Sequence, residues 1–171
     1  MIVLMAGLPG TGKTTLAREL AARTSGRVLN KDEVRYALFT SGEIEYSSAQ
    51  DDFCLQVMLE TASYLLRQNP SCLVFLDGRT FSRRYQIDNV LSAASTLHQP
   101  WRIIECVSPE EIIKQRLDEQ SASGAHPANN RDFKLYLKVR SRFEAITLPK
   151  TVIDTSKPLP NCVEQALAAL R

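Results

Sequence analysis

A glycine-rich segment near the start of the chain constrains the fold more than any other feature of the sequence. Residues 7–14 read Gly-Leu-Pro-Gly-Thr-Gly-Lys-Thr and match the pattern G-x-x-x-x-G-K-[ST]. An apolar run at residues 2–6 precedes this segment and a helix-like stretch at 13–23 follows it, so we predict a strand, a loop and a helix. Glycines let backbone N–H groups converge on an anion, and the helix N-terminus adds partial positive charge. The segment is therefore predicted to bind phosphate.

The side chains of this phosphate-binding loop (P-loop) suggest their own roles. Lys13 can reach the β- and γ-phosphates of a nucleotide, and Thr14 can ligate Mg²⁺ through its hydroxyl. We expect ATP as the nucleotide and Mg²⁺ as the metal. The predicted nucleotide-binding residues of the loop are Gly7, Pro9, Gly10, Thr11, Gly12, Lys13, Thr14 and Thr15.

Strand-like apolar runs alternate with helix-like segments along the rest of the chain. The alternation predicts parallel strands joined by right-handed crossovers, in one α/β domain of 171 residues. The further predicted strands are 27–30, 72–76, 101–107 and 151–154. The further predicted helices are 31–39, 48–68, 82–97, 109–119, 131–145 and 161–170, with polar loops at 40–47 and 121–130.

Composition and cysteine usage set broader limits. With 21 basic and 19 acidic residues the chain is near neutral, which neither suggests nor excludes a nucleic-acid partner. Its four cysteines form no C-x-x-C pair, so we expect a reduced, cytoplasmic protein. The apolar residues 2–6 are too short to span a membrane, and we expect no membrane partner. Nothing in the sequence indicates an oligomeric state.

An acidic and basic run follows the second predicted strand. In Leu29-Asn30-Lys31-Asp32-Glu33-Val34-Arg35, the carboxylate of Asp32 would face the ligand crevice at a strand end. Asp32 could take the proton of an attacking hydroxyl, and Arg35, on the same helix face, could hold an anionic group. The alternative is that Asp32 only caps a helix and Arg35 is a surface charge.

A second candidate run, Asp77-Gly78-Arg79, follows the apolar segment that ends at Leu76. A carboxylate in this position can organise the water ligands of Mg²⁺ beside Thr14, although a turn-forming Asp-Gly pair is the alternative. Arg79, Arg83 and Arg84 form a basic cluster at the same sheet end, and we predict Arg79 and Arg84 as acceptor-binding residues. A solvated helix start explains Arg83 and Arg84 equally well.

Two other classes of P-loop protein fit less well. A GTPase needs N-K-x-D late in the fold, whereas Asn30-Lys31-Asp32-Glu33 comes early and has Glu in the critical position. At this length we also expect no room for the second domain of an AAA+ motor. The compact kinase branch of P-loop proteins remains.

The segments GLPGTGKTT, NKDEVR and DGRTFSRR together resemble the polynucleotide 5′-kinase and zeta-toxin-like group of P-loop kinases, an AAA-type ATPase domain. The resemblance implies that Asp32 is the general base and Arg35 the acceptor clamp. It also implies a single P-loop kinase domain over residues 1–171, with a five-stranded parallel sheet in the order 2-3-1-4-5 flanked by helices. A small lid is expected at about residues 116–131.

Arg116 is the predicted lid arginine, and it would contact both ATP and the transferring phosphoryl group. The family usually has a second arginine four residues later, where this chain has Gln120. Arg131, Arg140 or Arg142 could replace it, although a salt-bridged helix surface explains Arg140 and Arg142 as well.

The predicted catalytic residues are thus Lys13, Asp32 and Arg116. We expect an ATP-dependent kinase that moves the γ-phosphate to a hydroxyl of a small molecule or of a nucleic-acid 5′-end. The alternative is an ATP-binding regulatory or interaction module with little transferase activity, and the missing second lid arginine is its main support.

Overall fold

A five-stranded parallel sheet forms the centre of the molecule. A computed structural model describes residues 1–123 and 132–171. The strands are β1 Ile2–Ala6, β2 Arg27–Asn30, β3 Val74–Asp77, β4 Trp101–Val107 and β5 Thr151–Asp154. Their order across the sheet is β2-β3-β1-β4-β5, and all neighbouring strands are parallel. The predicted fold class and strand order are confirmed.

Helices cover both faces of this sheet. They are α1 Lys13–Thr24, α2 Lys31–Leu38, α3 Ser48–Gln68, α4 Arg84–Thr96, α5 Glu110–Ser123, α6 Phe133–Arg140 and α7 Leu159–Ala169. Because side chains alternate along a strand, Ile2 and Leu4 of β1 face a core built largely from α3 and α4. Val3 and Met5 face a second core with α1 and α7. A strand buried on both faces explains why β1 is continuously apolar.

The structure corrects several predicted boundaries. The predicted strand 72–76 is shifted, because the register pairs Val74 with Ile2 and carries the strand through Asp77. Helix α5 continues to Ser123, so residues 121–123 of the predicted loop 121–130 are helical. Residues 124–131 of that loop and of the predicted lid lie outside the described residues.

The predicted helix 131–145 is shorter than expected. The side chain of Asp132 accepts a hydrogen bond from Leu135 N and starts α6, which ends at Arg140. Beyond it, the backbone N–H of Glu144 donates to Ser82 O at 2.9 Å. This contact ties the chain after α6 to the start of α4, and the helix cannot continue there.

The strand register brings three functional segments to one edge of the sheet. Leu4 pairs with Leu76, and Asn30 pairs with Asp77, so β1, β2 and β3 end side by side. The segments that follow these strands are the P-loop after β1, the start of α2 with Asp32 after β2, and the Arg79 segment after β3. The carboxyl edge of a parallel sheet is where open α/β folds bind ligands. Within the described ranges, no helix combines the length and the apolar character needed to cross a membrane.

Candidate active site

The P-loop has a backbone that only glycine can supply at its first position. Gly7 has φ +129°, and a Cβ there would lie 2.3 Å from the carbonyl oxygen of Cys106. Gly12, at φ +74°, is the residue from which α1 starts. The Nζ of the buried Lys13 donates to Leu8 O at 2.7 Å, across the mouth of the loop. An oxygen of a bound phosphate could take the place of the Leu8 carbonyl oxygen as the acceptor for this lysine.

Asp77 lies at the end of β3 with its side chain fully buried. Its Oδ2 accepts a hydrogen bond from Asn30 Nδ2 at 2.6 Å, whereas the buried Oδ1 has no hydrogen-bond partner among the described residues. A buried carboxylate oxygen without a donor is a site of excess negative charge. The carboxylate of Asp77 and the half-buried hydroxyl-bearing Thr14 therefore have the oxygen chemistry that Mg²⁺ prefers.

The side chain of Asn30 was not singled out from the sequence, yet it has two roles in the site. Its Oδ1 accepts hydrogen bonds from the backbone N–H groups of Asp32 and Glu33, so Asn30 is the N-cap of α2. Its Nδ2 fixes Asp77. The alternative interpretation in which Asp32 caps the helix is therefore wrong. Asx capping could be inferred from the sequence, but the contact with Asp77 depends on strand register.

Asp32 and Arg35 form a buried ion pair on the first turns of α2. Arg35 Nη1 donates to Asp32 Oδ1 at 2.8 Å, and Lys31 Nζ lies 3.3 Å from the same oxygen. Arg35 is fully buried, so it is not a surface charge. Within the described chain, Asp32 Oδ2 accepts no hydrogen bond, and Asp32 lines the cavity described below. One carboxylate oxygen thus anchors the side chain while the other is left for a proton.

The first turn of α3 supplies a second carboxylate that the sequence did not reveal. Asp51 Oδ1 accepts from Lys31 Nζ at 2.6 Å and also from Arg35, whose Nε donates to Gln50 at 3.1 Å. Burial alone would raise the pKa of the Asp51 carboxyl, but the charges of Lys31, Arg35 and Arg79 hold that pKa below its ordinary value. Asp51 therefore stays ionised and keeps Arg35 fixed beside Asp32.

These groups surround a cavity of about 340 Å³ between the P-loop and α2. Its wall also includes the loop before α3, the segment between β3 and α4, and helix α6. The cavity is lined by charged, polar and a few apolar side chains, among them Lys13, Thr14, Lys31, Asp32, Arg35, Tyr46, Asp51, Arg79, Arg83, Leu135, Val139 and Arg142. The volume is within the range of small-molecule sites. The predicted donor residues and the predicted base thus share one cavity.

The three arginines of the predicted basic cluster separate in space. Arg79 is 4% exposed and lines the cavity, where its Nη2 donates to Asp52 Oδ1 at 2.5 Å. Arg83 also lines the cavity and pairs with Glu144 at 2.7 Å. Arg84 does not line it, because its exposed side chain pairs with Asp88 along α4. The structure thus brings Arg79, but not the predicted Arg84, to the site.

Arg116 projects from α5 to the other side of the P-loop. Its guanidinium donates to the hydroxyl and the carbonyl of Thr155, at 3.1 and 2.7 Å, and the Thr155 hydroxyl donates to Thr11 O at 3.0 Å. A Cβ on Gly12 would lie 3.6 Å from Arg116 Nη1. Arg116 is therefore placed against the loop, as the prediction of a nucleotide contact requires.

The candidates for a second lid arginine have different surroundings. Arg140 pairs with Glu110 of α5 and lies over the ring of Tyr136, so the salt-bridged helix surface is the better description of it. Arg142 lies beyond the end of α6 and lines the cavity. Arg131 is outside the described residues. Arg142 is thus the candidate that the structure places beside the phosphate-binding groups.

The strand order, the P-loop and the ligand edge define a P-loop kinase domain. The family model described as an AAA domain matches residues 2–145, and the chain belongs to this family. No curated protein matches the sequence. The predicted membership of the P-loop kinase group is confirmed.

Solved structures give the same fold. A protein of Chloroflexus aurantiacus that is assigned as a kinase is 22% identical with a TM-score of 0.78, over 99% of this chain and 98% of that one. A gluconokinase of Sinorhizobium meliloti is 17% identical, with a TM-score of 0.71 and coverages of 99% and 90%. The APS kinase of Mycobacterium tuberculosis, bound to AMPPNP and APS, is 16% identical, with a TM-score of 0.73 and coverages of 99% and 96%.

Proposed function

We propose that this protein is an ATP-dependent kinase that transfers the γ-phosphate to a hydroxyl group of a small molecule or of a nucleic-acid 5′-end. The observation that supports the proposal most is the shared cavity, which has Lys13 and Thr14 on one wall and Asp32 on another. A donor site and a proton acceptor that open into one cavity suit direct transfer between two bound substrates.

In this reaction the acceptor oxygen attacks the γ-phosphorus, and the bond from that phosphorus to the β,γ-bridging oxygen breaks. ADP leaves, and the hydroxyl proton passes to the carboxylate of Asp32. Arg35 and Lys31 hold Asp32 through its other oxygen, at 2.8 and 3.3 Å. Lys13 and Arg116 are the proposed cations that neutralise charge on the phosphates as it shifts toward ADP.

Mg²⁺ is proposed to bind with the ATP, held by the Thr14 hydroxyl and the Asp77 carboxylate. The buried Oδ1 of Asp77, which lacks a donor within the described chain, supports this assignment. When bound, the ion offsets the negative charge of the triphosphate. Asn30 keeps Asp77 oriented from the other side through its 2.6 Å hydrogen bond.

A phosphoryl-transfer screen tests the proposal. Labelled ATP and Mg²⁺ are offered with 5′-OH oligonucleotides, nucleosides, sugars and aminoglycosides, and ADP release and labelled product are measured. We expect acceptor-dependent turnover with one of these classes. Asp32→Asn should lower kcat by about 10²-fold or more while ATP still binds, because the proton acceptor is lost and the P-loop is unchanged.

Two outcomes would contradict parts of this proposal. Unchanged acceptor-dependent turnover in Asp32→Asn would show that Asp32 is not the base. ATP binding without transfer to any acceptor would favour the alternative, an ATP-binding regulatory or interaction module. A Lys13→Ala variant that binds and consumes ATP normally would overturn the donor site itself.

A further inference from the structure

One buried arginine in the cavity is incompletely paired. Arg79 has its Nη2 on Asp52, but its Nε and Nη1 are buried and have no hydrogen-bond partner within the described residues. The side chain is only 4% exposed, and it lines the cavity. A buried N–H of a charged group that lacks an acceptor is unfavourable. An arrangement of this kind is expected where a ligand supplies the acceptor.

The position of Arg79 is fixed by its neighbours rather than by chance packing. Asp52, which pairs with it, also accepts a hydrogen bond from Tyr85 OH at 3.2 Å. On the backbone, Gly7 N donates to Thr80 O at 3.2 Å and ties the segment to the P-loop. The guanidinium is therefore held in place before any ligand arrives, which lowers the entropic cost of binding.

The charge of the cavity points to the chemistry of that ligand. Its described wall carries six cationic side chains and only two carboxylates, Asp32 and Asp51. Both carboxylates are already engaged by Lys31 and Arg35, and Arg79 and Arg83 each pair with a carboxylate outside the wall, Asp52 and Glu144. Arg142 lines the same wall, and among the described residues it has no ion-pair partner. ATP accounts for the positive charge at the P-loop, but Arg79 and Arg142 belong to other elements.

We infer that the acceptor is a small hydroxyl compound with an anionic group, a phosphate ester or a carboxylate, and that Arg79 binds this group with Arg142 on the same wall. The inference rests on the proposed kinase function and names the substrate class of its acceptor site. A planar guanidinium in which two nitrogens, Nε and Nη1, lack an acceptor can donate charge-assisted hydrogen bonds to the oxygens of either anion. The volume of about 340 Å³ lies in the range of small-molecule sites.

A calorimetric titration tests the inference without knowledge of the natural acceptor. The protein is first loaded with AMPPNP and Mg²⁺, so that the P-loop is occupied. It is then titrated with three matched probes: ribitol, ribonate and ribitol 5-phosphate. We expect at least one of the two anions to bind about tenfold or more tightly than neutral ribitol, as a charge-assisted hydrogen bond predicts. The tighter anion identifies the group as a phosphate ester or a carboxylate.

Variants assign the preference to Arg79. In Arg79→Gln the preference for the anion should be lost, while AMPPNP affinity is kept and shows that the protein is folded. If Arg79→Gln does not fold, Arg79→Lys retains a cation for Asp52 but lacks the Nε–H and Nη1–H donors, and it should reduce the preference. The control is Arg23→Gln, at the end of α1 farthest from the P-loop, where Arg23 pairs with Glu164 on the surface. It should bind all three probes as the wild type does.

Several results would overturn the inference. It fails if the loaded wild type binds no probe, binds all three equally, or keeps its preference after the Arg79 substitution. A 5′-OH oligonucleotide that binds more tightly than both anions would replace the small molecule with a nucleic acid. Failure of AMPPNP to bind at all would count against the proposed kinase function, whereas normal AMPPNP binding without anion preference would count against this inference alone.

Discussion

At the scale of single residues, Asn30 connects the two halves of the site. Its side chain caps α2, which carries Asp32, and donates to Asp77 at the end of β3. One amide therefore sets the position of the candidate base and the orientation of the candidate metal ligand. An aspartate could cap the helix equally well, but it would place a second carboxylate 2.6 Å from Asp77.

Replacing Asn30 should cost more stability than the loss of an ordinary cap. We expect Asn30→Ala to lower the free energy of unfolding by about 2–4 kcal/mol, from one lost cap and one buried carboxylate left without its donor. Urea denaturation measures this. The control is Ser47→Ala, which removes the cap of α3 and an exposed hydrogen bond to Glu45 and should cost about 1 kcal/mol. Equal losses in the two variants would mean that the Asp77 contact adds nothing.

Asp51 gives a prediction about pH. Lys31, Arg35 and Arg79 hold its pKa in the folded protein below the ordinary value, against the effect of burial, which acts in the opposite direction. Its carboxylate therefore stabilises the fold above the unfolded-state pKa of about 4, and the contribution is lost as pH falls further. Asp51→Asn should lose less stability than the wild type between neutral pH and pH of about 3.5, when unfolding is followed by circular dichroism.

An exposed carboxylate provides the control for that experiment. Asp118 lies on the solvent side of α5, and Asp118→Asn should show the same acid sensitivity as the wild type. If Asp51→Asn and the wild type lose stability in parallel as pH falls, the ion pairs around Arg35 do not hold the Asp51 pKa down.

At the scale of secondary-structure elements, the turn after β3 controls how closely α2 approaches the sheet. Gly78 has φ +83°, and a Cβ there would lie 2.8 Å from the backbone nitrogen of Lys31, the first residue of α2. The strand β3 and the helix that carries Asp32 are therefore in direct backbone contact at the site. Since backbone cannot move aside as a flexible side chain can, the contact fixes the position of that helix.

Gly78→Ala should be destabilising for two reasons, the left-handed backbone and the close contact. We expect a loss of about 1–3 kcal/mol in the free energy of unfolding, together with weaker acceptor-dependent turnover as α2 shifts. Gly42→Ala is the matched control, because a Cβ there meets nothing within 4 Å, and its effect should stay within about 0.5 kcal/mol. If Gly78→Ala and Gly42→Ala have similar Tm values in thermal denaturation, the turn after β3 does not require glycine at residue 78.

The sequence predicted the elements far better than the contacts between them. Each strand and helix is encoded by a local apolar pattern, and the bounds of β1, β2, β4 and β5 agree with the prediction. The order of the strands followed from the resemblance to P-loop kinases. The shift of β3 depends on its register with β1, which no local pattern contains. The shorter α6 depends on the contact between Glu144 and Ser82, which lie far apart in the chain.

For the candidate site, too, the sequence located the contiguous motifs but not the contacts between distant residues. The P-loop and the Asp32 segment are contiguous motifs, so the sequence located them. The partners Asp51 and Asp52 come from α3 and reach Arg35 and Arg79 only in the folded chain. Arg83 and Arg84 are adjacent in sequence, and the start of α4 sends them to different sides. No spacing rule distinguishes such neighbours before the helix start is known.

At the scale of the whole molecule, the nucleotide site draws on widely separated parts of the chain. The P-loop follows β1, Arg116 comes from α5, and Thr155 comes from the loop after β5 and contacts both. On the opposite side, Asp77 and Asn30 end two further strands. A ligand that binds here therefore contacts loops from both halves of the sheet, so its binding energy should stabilise the folded state as a unit.

This linkage predicts how strongly the nucleotide should stabilise the fold. At 100 times its dissociation constant, AMPPNP with Mg²⁺ should add about 2.7 kcal/mol, or a rise in Tm of about 5–10 °C for a domain of this size. Chelation of Mg²⁺ should reduce the rise, because Thr14 and Asp77 would then lack the ion that joins them to the phosphates. Scanning calorimetry of Lys13→Ala should show no rise at the same nucleotide concentration, whereas Arg23→Ala, on the surface at the far end of α1, should show the full rise. An undiminished rise in Lys13→Ala would place the nucleotide somewhere other than the P-loop.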